Sequence, residues 1–158
     1  MKNILSISSL FALLALSIAM VGCDKEESPI PETNNTEIVK QLFAYFGSGD
    51  IPSFLNNCDA NCVFDITGNQ ILNPGKVYTG NDGFMAFLGD LSSKGQPTAI
   101  NPLDYYESGD VVTVNGNLTF TDFATSQTCS ANFIQIWKFN TAGKLVYFKE
   151  DHDHRVCQ

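Results

Sequence analysis

The chain has 158 residues, 44% of them hydrophobic and 16% charged. With only 12 glycines and ample apolar content, collagen, coiled coil and full disorder are excluded, and one globular domain with extra segments is expected. A formal charge of −8, with no basic patch, repels phosphates and argues against nucleic acid as a partner.

The chain opens with Met1-Lys2-Asn3, runs through the apolar stretch Ile4 to Val21, and then reads Gly22-Cys23. A charged start, an apolar run and a small residue before the cut form an export address rather than part of a fold. The cut is followed directly by Cys, which resembles the bacterial lipoprotein signal. That resemblance implies removal of residues 1–22 and an acyl chain on Cys23. It places the domain in the cell envelope, lipid-anchored, with the outer membrane as the expected host. An uncleaved membrane anchor is the alternative. Residues 23–35 are polar, acidic and carry Pro29 and Pro31, so they read as a tether that cannot bury enough apolar surface to fold.

The folded part is expected over 36–158. Ile38, Val39, Leu42, Phe43 and Phe46 recur at three and four, which predicts a helix from Thr36 to Gly47 capped by Asn35 or Thr36. Asp50 and Pro52 open a second, short helix. Cys62 to Ile66 reads as a strand, Thr67 to Gly80 as a loop, and Asn81 to Leu91 as a third helix. Strands follow at Thr98 to Glu107, Asp110 to Phe123, Gln127 to Phe139 and Lys144 to His154. Gly116 inside its strand suggests a bulge or bend. Helices first and antiparallel strands afterwards make an α+β fold. A curved antiparallel sheet over about three N-terminal helices would enclose a pocket.

Four cysteines remain after Cys23. In an oxidising compartment they suggest disulfides rather than a metal site, because Cys58-x3-Cys62 lacks CxxC spacing and a neighbouring His. Pairing Phe139 with Lys144 across the last turn places Cys129 near Cys157. Cys129–Cys157 with Cys58–Cys62 is therefore favoured, and Cys62–Cys157 competes. Asp151-His152-Asp153-His154 alternates, so the histidines share one face. A solvated strand end is preferred there to a metal site. No metal and no cofactor is expected. The strings at Asn34 and Asn117 match the glycosylation pattern only at chance level.

Phe43-Ala44-Tyr45-Phe46-Gly47-Ser48-Gly49-Asp50, Val63-Phe64-Asp65-Ile66-Thr67-Gly68, Tyr78-Thr79-Gly80-Asn81-Asp82-Gly83-Phe84 and the hairpin Trp137-Lys138-Phe139 to Gly143-Lys144-Leu145 resemble the SnoaL-like and ketosteroid-isomerase-like group, of nuclear transport factor 2-like fold. The resemblance spans residues 36 to 154 and implies the cone-shaped α+β fold. It does not by itself select a function.

In the isomerases of this group a carboxylate on the first strand shuttles a proton. Asp65 matches that position, and a rise in its pKa among apolar neighbours is expected. A local backbone-capping role is the alternative. Leu42 stands where those isomerases place a Tyr, and Gln135 where they place a protonated Asp, so Gln135 becomes the candidate oxyanion donor. The cyclases of the group imply Asp153 as a base, although His152 stands where an aromatic is usual. An acidic, solvated strand edge is the alternative. Asp122 shares parity with Leu118 and Phe120 and could point inward, although a solvated end is the preferred reading.

Leu42, Phe64, Phe133 and Trp137 are the expected pocket lining, with plain core packing as the alternative. Tyr45 and Tyr78 are possible donors near a mouth. Three functions stay open: binding of a small, largely apolar molecule, isomerase or cyclase chemistry without a cofactor, and a protein-interaction module pairing as a homodimer through its sheet face.

Overall fold

The computed structural model describes residues 34–72, 74–153 and 155–158. The expected export segment, the lipidation site Cys23 and the tether up to residue 33 lie outside the described residues, as does His154. No described helix is long and apolar enough to cross a membrane.

Helix α1 (Asn35–Ser48) begins one residue earlier than its pattern suggested. Its cap is Asn34, whose side chain accepts from the Glu37 N–H at 3.1 Å. Asn35 is already inside the helix and buried, so the domain includes both asparagines. Gly49, at φ +73°, ends the helix. Its N–H reaches the Phe46 carbonyl, while the Asp50 N–H reaches that of Tyr45. The Asp50 carboxylate then caps α2 (Ile51–Asn56) through Ser53 N–H. One residue thus closes one helix and opens the next. The far end of α1 is pinned by Glu107, which accepts from the backbone of Asn35 and Thr36 and from the Thr36 hydroxyl.

Strand β1 (Cys58–Gly68) is longer than its apolar centre. The stretch expected to be a loop contains β2 (Val77–Thr79), antiparallel to β1. Helix α3 (Gly80–Lys94) buries Phe84, Phe87 and Leu91. Four long strands follow: β3 (Gly95–Ser108), β4 (Val111–Asp122), β5 (Gln127–Phe139) and β6 (Leu145–His152). The sheet order is β2-β1-β6-β5-β4-β3, with β1 parallel to β6 and the rest antiparallel. The expected α+β architecture, a curved antiparallel-rich sheet carrying a few helices, is what forms.

The edge strand β3 carries Pro97 and Pro102, whose missing N–H groups are tolerated at an edge. The irregularities in the β3–β4 ladder lie at Thr98 and Leu103, on β3. Gly116 on β4 is paired in regular register with β5, while on its other side the irregularity at Leu103 falls opposite Gly116 and Asn115, so the extra residue sits on the partner strand. Gly116 is small because Phe133 needs the space: a Cβ at Gly116 would stand 2.3 Å from the Phe133 ring and 2.5 Å from the Asn101 carbonyl.

After β6 the chain leaves the sheet at Asp153 and re-enters as β7 (Val156–Cys157), which pairs with β5. Cys157 lies directly opposite Cys129, and the two form a disulfide. The second expected bridge is corrected: Cys58 and Cys62 are free thiols. Between them the β1–β6 register slips, which bulges residues 59–61 outward and sets the two side by side. The hydrogen-bonding neighbour Cys58, together with burial, pushes the Cys62 thiol well above its ordinary range. Asp122 is buried rather than solvated. It caps the β4–β5 turn by accepting from Ala124 and Thr125 N–H and pairs with Arg155. Those turn N–H groups, with Arg155, hold its carboxyl below the usual carboxylate range.

Candidate functional site

Helices and sheet line a cavity whose empty space, counted together with the open solvent at its mouth, is about 650 Å³. Strand alternation decides what faces it. Along β5 the inward residues are Phe133, Gln135 and Trp137, all buried. Their partners on β6 are His152, Glu150 and Phe148 in the same order. Facing side chains of an antiparallel pair share one side of the sheet, so all six turn toward the helices. Leu42, Phe43 and Phe46 of α1 and Phe84, Phe87 and Leu91 of α3 complete a mostly aromatic wall. Trp137 sits 4.6 Å from Phe148 and 5.4 Å from Phe43, measured between ring centroids.

One end of the cavity is polar. Gln135 Nε2 donates to Glu150 Oε2 at 2.5 Å. Asn69 Nδ2 donates to Glu150 Oε1, and His152 Nε2 lies 3.0 Å from the same oxygen. The orientation of each partner is set by a further bond. Asn69 Oδ1 accepts from the N–H groups of Ile71 and Leu72, so its amide NH2 must face Glu150. His152 Nδ1 accepts from the Gln70 N–H at 3.1 Å, which requires a lone pair on Nδ1 and leaves the proton on Nε2, toward the carboxylate. The Glu150 side chain is 14% exposed. Burial pushes its carboxyl up, but donation from His152, Gln135 and Asn69 outweighs that and holds it below its ordinary value.

Two buried polar atoms on the wall have no partner among the described residues: Gln135 Oε1 and Trp137 Nε1. The amide assignment of Gln135 follows from the carboxylate it faces, so its orphan atom is an acceptor. The site therefore combines an apolar body with a polar end rich in acceptors.

The residues expected from the sequence divide. Leu42, Phe133, Gln135 and Trp137 come together on the cavity wall. Phe64 does not reach it; it packs behind the wall against Phe84 and Phe148. Asp65 is on the other face of β1, because Cys62, Phe64 and Ile66 take the inward positions. Its carboxylate accepts from Thr67 and from the Tyr147 hydroxyl at 3.1 Å. The expected rise in its pKa is reversed: the Thr67 hydroxyl leads the groups that hold it below the ordinary value, against a partial burial. Asp65 thus fills the local capping role. Asp153 lies past the end of β6, exposed, and clasps the backbone and side-chain N–H groups of Asn132 at 2.9 and 2.8 Å. Tyr78 donates to Asp90, and Tyr45 accepts from Gln41, so neither serves the polar end.

Glu150 and Asn69 were missed. The signal for Glu150 was present, since it shares strand parity with His152 and Phe148. The expectation of a solvated end at 151–154 is corrected at His152, which β6 carries inward together with Glu150. Asn69 had no comparable signal; its role depends on a turn that only the folded chain brings beneath β6.

As an acid–base device the polar end is restrained. Glu150 is a weakened base, and both ring nitrogens of His152 are already engaged.

A family model described as the SnoaL-like domain matches residues 39–148. A comparison with curated proteins finds no match. Among solved structures, the chain is similar to an NTF2-like protein of unknown function from Burkholderia pseudomallei, at 22% identity and TM-score 0.67, covering 77% of this chain and 92% of that one. It is also similar to TerC co-crystallised with polyporic acid, at 22% identity and TM-score 0.64, over 75% of this chain and 91% of the other. A third is SalBIII, described as an epoxide hydrolase/cyclase-like enzyme, at 16% identity and TM-score 0.62, over 78% and 93%. These likenesses carry the fold, and the family match covers most of the chain: it belongs to the SnoaL-like domain family.

Proposed function

We propose that the domain binds a small, largely apolar molecule that presents a hydrogen-bond donor at one end. The observation that carries this reading is Gln135 Oε1, a buried acceptor without a hydrogen-bond partner among the described residues, at the polar end of an aromatic cavity. An unsatisfied buried acceptor costs about 1–3 kcal/mol, and a donor on the ligand would remove that cost. The restraint of Glu150 and His152 supports binding over proton transfer.

The test uses the single Trp, which lines the cavity. Trp137 fluorescence of the full chain is titrated with 4-phenylbutanol and with butylbenzene. Saturable binding of the alcohol, tighter than the hydrocarbon, is expected, with the difference lost in Gln135→Leu. Equal affinities in the wild type would remove the donor from the proposal, and no binding of either would remove the pocket.

A second reading is proton-transfer chemistry of the isomerase or cyclase type, with Glu150 in place of Asp65 as base. It is favoured by Glu150 being the carboxylate on the cavity wall, and by the enzyme description of SalBIII. Turnover of a ketone substrate that stops in Glu150→Gln would establish it.

We propose further that the domain is held at a membrane by an acyl chain on Cys23, on the strength of the apolar run ending in Gly22-Cys23. Labelled palmitate incorporated by the wild type and not by Cys23→Ala is the expected result.

A further inference from the structure

The polar end of the cavity carries one carboxylate, Glu150, and no lysine or arginine among the described lining residues. Nδ1 of His152 accepts the Gln70 N–H, so the N–H that the ring directs at Glu150 is the one on Nε2. Glu150 is therefore surrounded by three donors, from Asn69, Gln135 and His152, two of them uncharged amides. These hydrogen bonds solvate the carboxylate without neutralising it.

The remaining acceptor capacity can be counted. A carboxylate offers about four lone-pair sites, and the three donors leave about one. Gln135 Oε1 offers two more, both unused among the described residues. About three acceptor sites thus belong to one charged end, and a primary ammonium presents three N–H donors. The aromatic wall suits the same head group, because aromatic rings attract cations and Trp137 and Phe148 are the next inward residues along the strands from Gln135 and Glu150. The formal charge of −8 favours the approach of a cation from outside. A carboxylate ligand would meet the charge of Glu150 and an orphan carbonyl, set against the remaining N–H groups of Asn69, Gln135 and Trp137.

We propose that the cavity selects amphiphilic amines: a small apolar body ending in a primary ammonium that Glu150 and Gln135 hold together. This rests on the binding reading above and narrows it from any donor to a cationic one.

The experiment compares three ligands with one skeleton on the full chain at pH 7: 4-phenylbutylamine, 4-phenylbutanol and 4-phenylbutyrate, each followed by Trp137 fluorescence. The amine is charged at this pH, as an alkyl ammonium titrates near 10. The amine is expected to bind at least about tenfold tighter than the alcohol, a difference of about 1.4 kcal/mol, with no saturable response to the carboxylate. In Glu150→Gln the ratio of amine to alcohol affinity should fall to within about threefold of unity. An alcohol that binds as tightly as the amine overturns the cationic preference and leaves the binding reading standing. A preference that survives in Glu150→Gln overturns the role of Glu150. Failure of all three ligands overturns both readings. The wild-type ratio carries the test even where the variant does not fold.

Discussion

The backbone N–H of Gln70 donates to Nδ1 of His152, 82 residues away, at 3.1 Å. Through this bond a turn after β1 chooses which nitrogen of a strand-end histidine carries the proton. The choice then passes to Glu150, which receives the Nε2 proton. In ¹⁵N-labelled protein at neutral pH, His152 is expected as the Nε2–H tautomer, with Nδ1 at the shift of an unprotonated ring nitrogen. Two protonated nitrogens would contradict the geometry. His152→Leu removes one donor from a buried carboxylate and should destabilise the fold by about 2–3 kcal/mol, read from urea unfolding.

Glu150 also sets an acid limit. Its folded pKa lies below its ordinary value, so the unfolded chain takes up the proton first as pH falls. The stability it contributes is complete above the unfolded carboxylate range, about pH 4, and is lost as pH drops through the folded value. Denaturation midpoints should be flat from pH 7 to 5 and fall below that. The Glu150→Gln variant should start lower at pH 7 and show a shallower acid slope.

At Gly116 the space for a methyl group is occupied from two directions, by the Phe133 ring and the Asn101 carbonyl. Gly116→Ala should cost about 1–3 kcal/mol, as overpacking in a filled core does. Adding Phe133→Leu should recover only part, because the carbonyl belongs to the backbone of β3 and cannot step aside. Thermal melts of the single and double variants test this.

The Cys129–Cys157 disulfide closes a sequence separation of 28. The entropy of so large a loop predicts about 3–4 kcal/mol of stabilisation. Replacing both cysteines by serine should lower stability by up to that amount and expose the amides of β7 to hydrogen exchange, while those of β4 remain protected. Uniform loss of protection would mean that the tail is part of the cooperative core.

Helices and long strands were legible because their apolar periodicity is strong. Even the short α2 announced itself through Asp50 and Pro52. What escaped depended on register. The last hairpin was expected to pair Phe139 with Lys144, yet Phe139 pairs with Leu145, and Val146 then stands as an extra residue before Lys138 meets Tyr147. Two single-residue slips add to two. Inward and outward parity therefore survived, so Gln135 and Trp137 were correctly oriented, while Gln135's partner became Glu150 instead of Phe148. Asp65 failed for a different reason. Its apolar sequence neighbours, Phe64 and Ile66, are the residues that turn it outward, since alternation sends neighbours to opposite faces. The β1–β6 pairing is parallel and long-range, and no local pattern encodes it.

Glu107 has a mechanical consequence. Its carboxylate holds the backbone of Asn35 and Thr36, and so fastens the first turn of α1 to β3. Whatever draws on the chain ahead of Asn34 meets that clamp before it meets Leu42, Phe43 and Phe46 on the cavity wall. Load entering from the N-terminal side is thus shunted sideways into the β3–β4 ladder, through peptide hydrogen bonds in shear. The cavity wall is mechanically insulated from the chain that precedes Asn34.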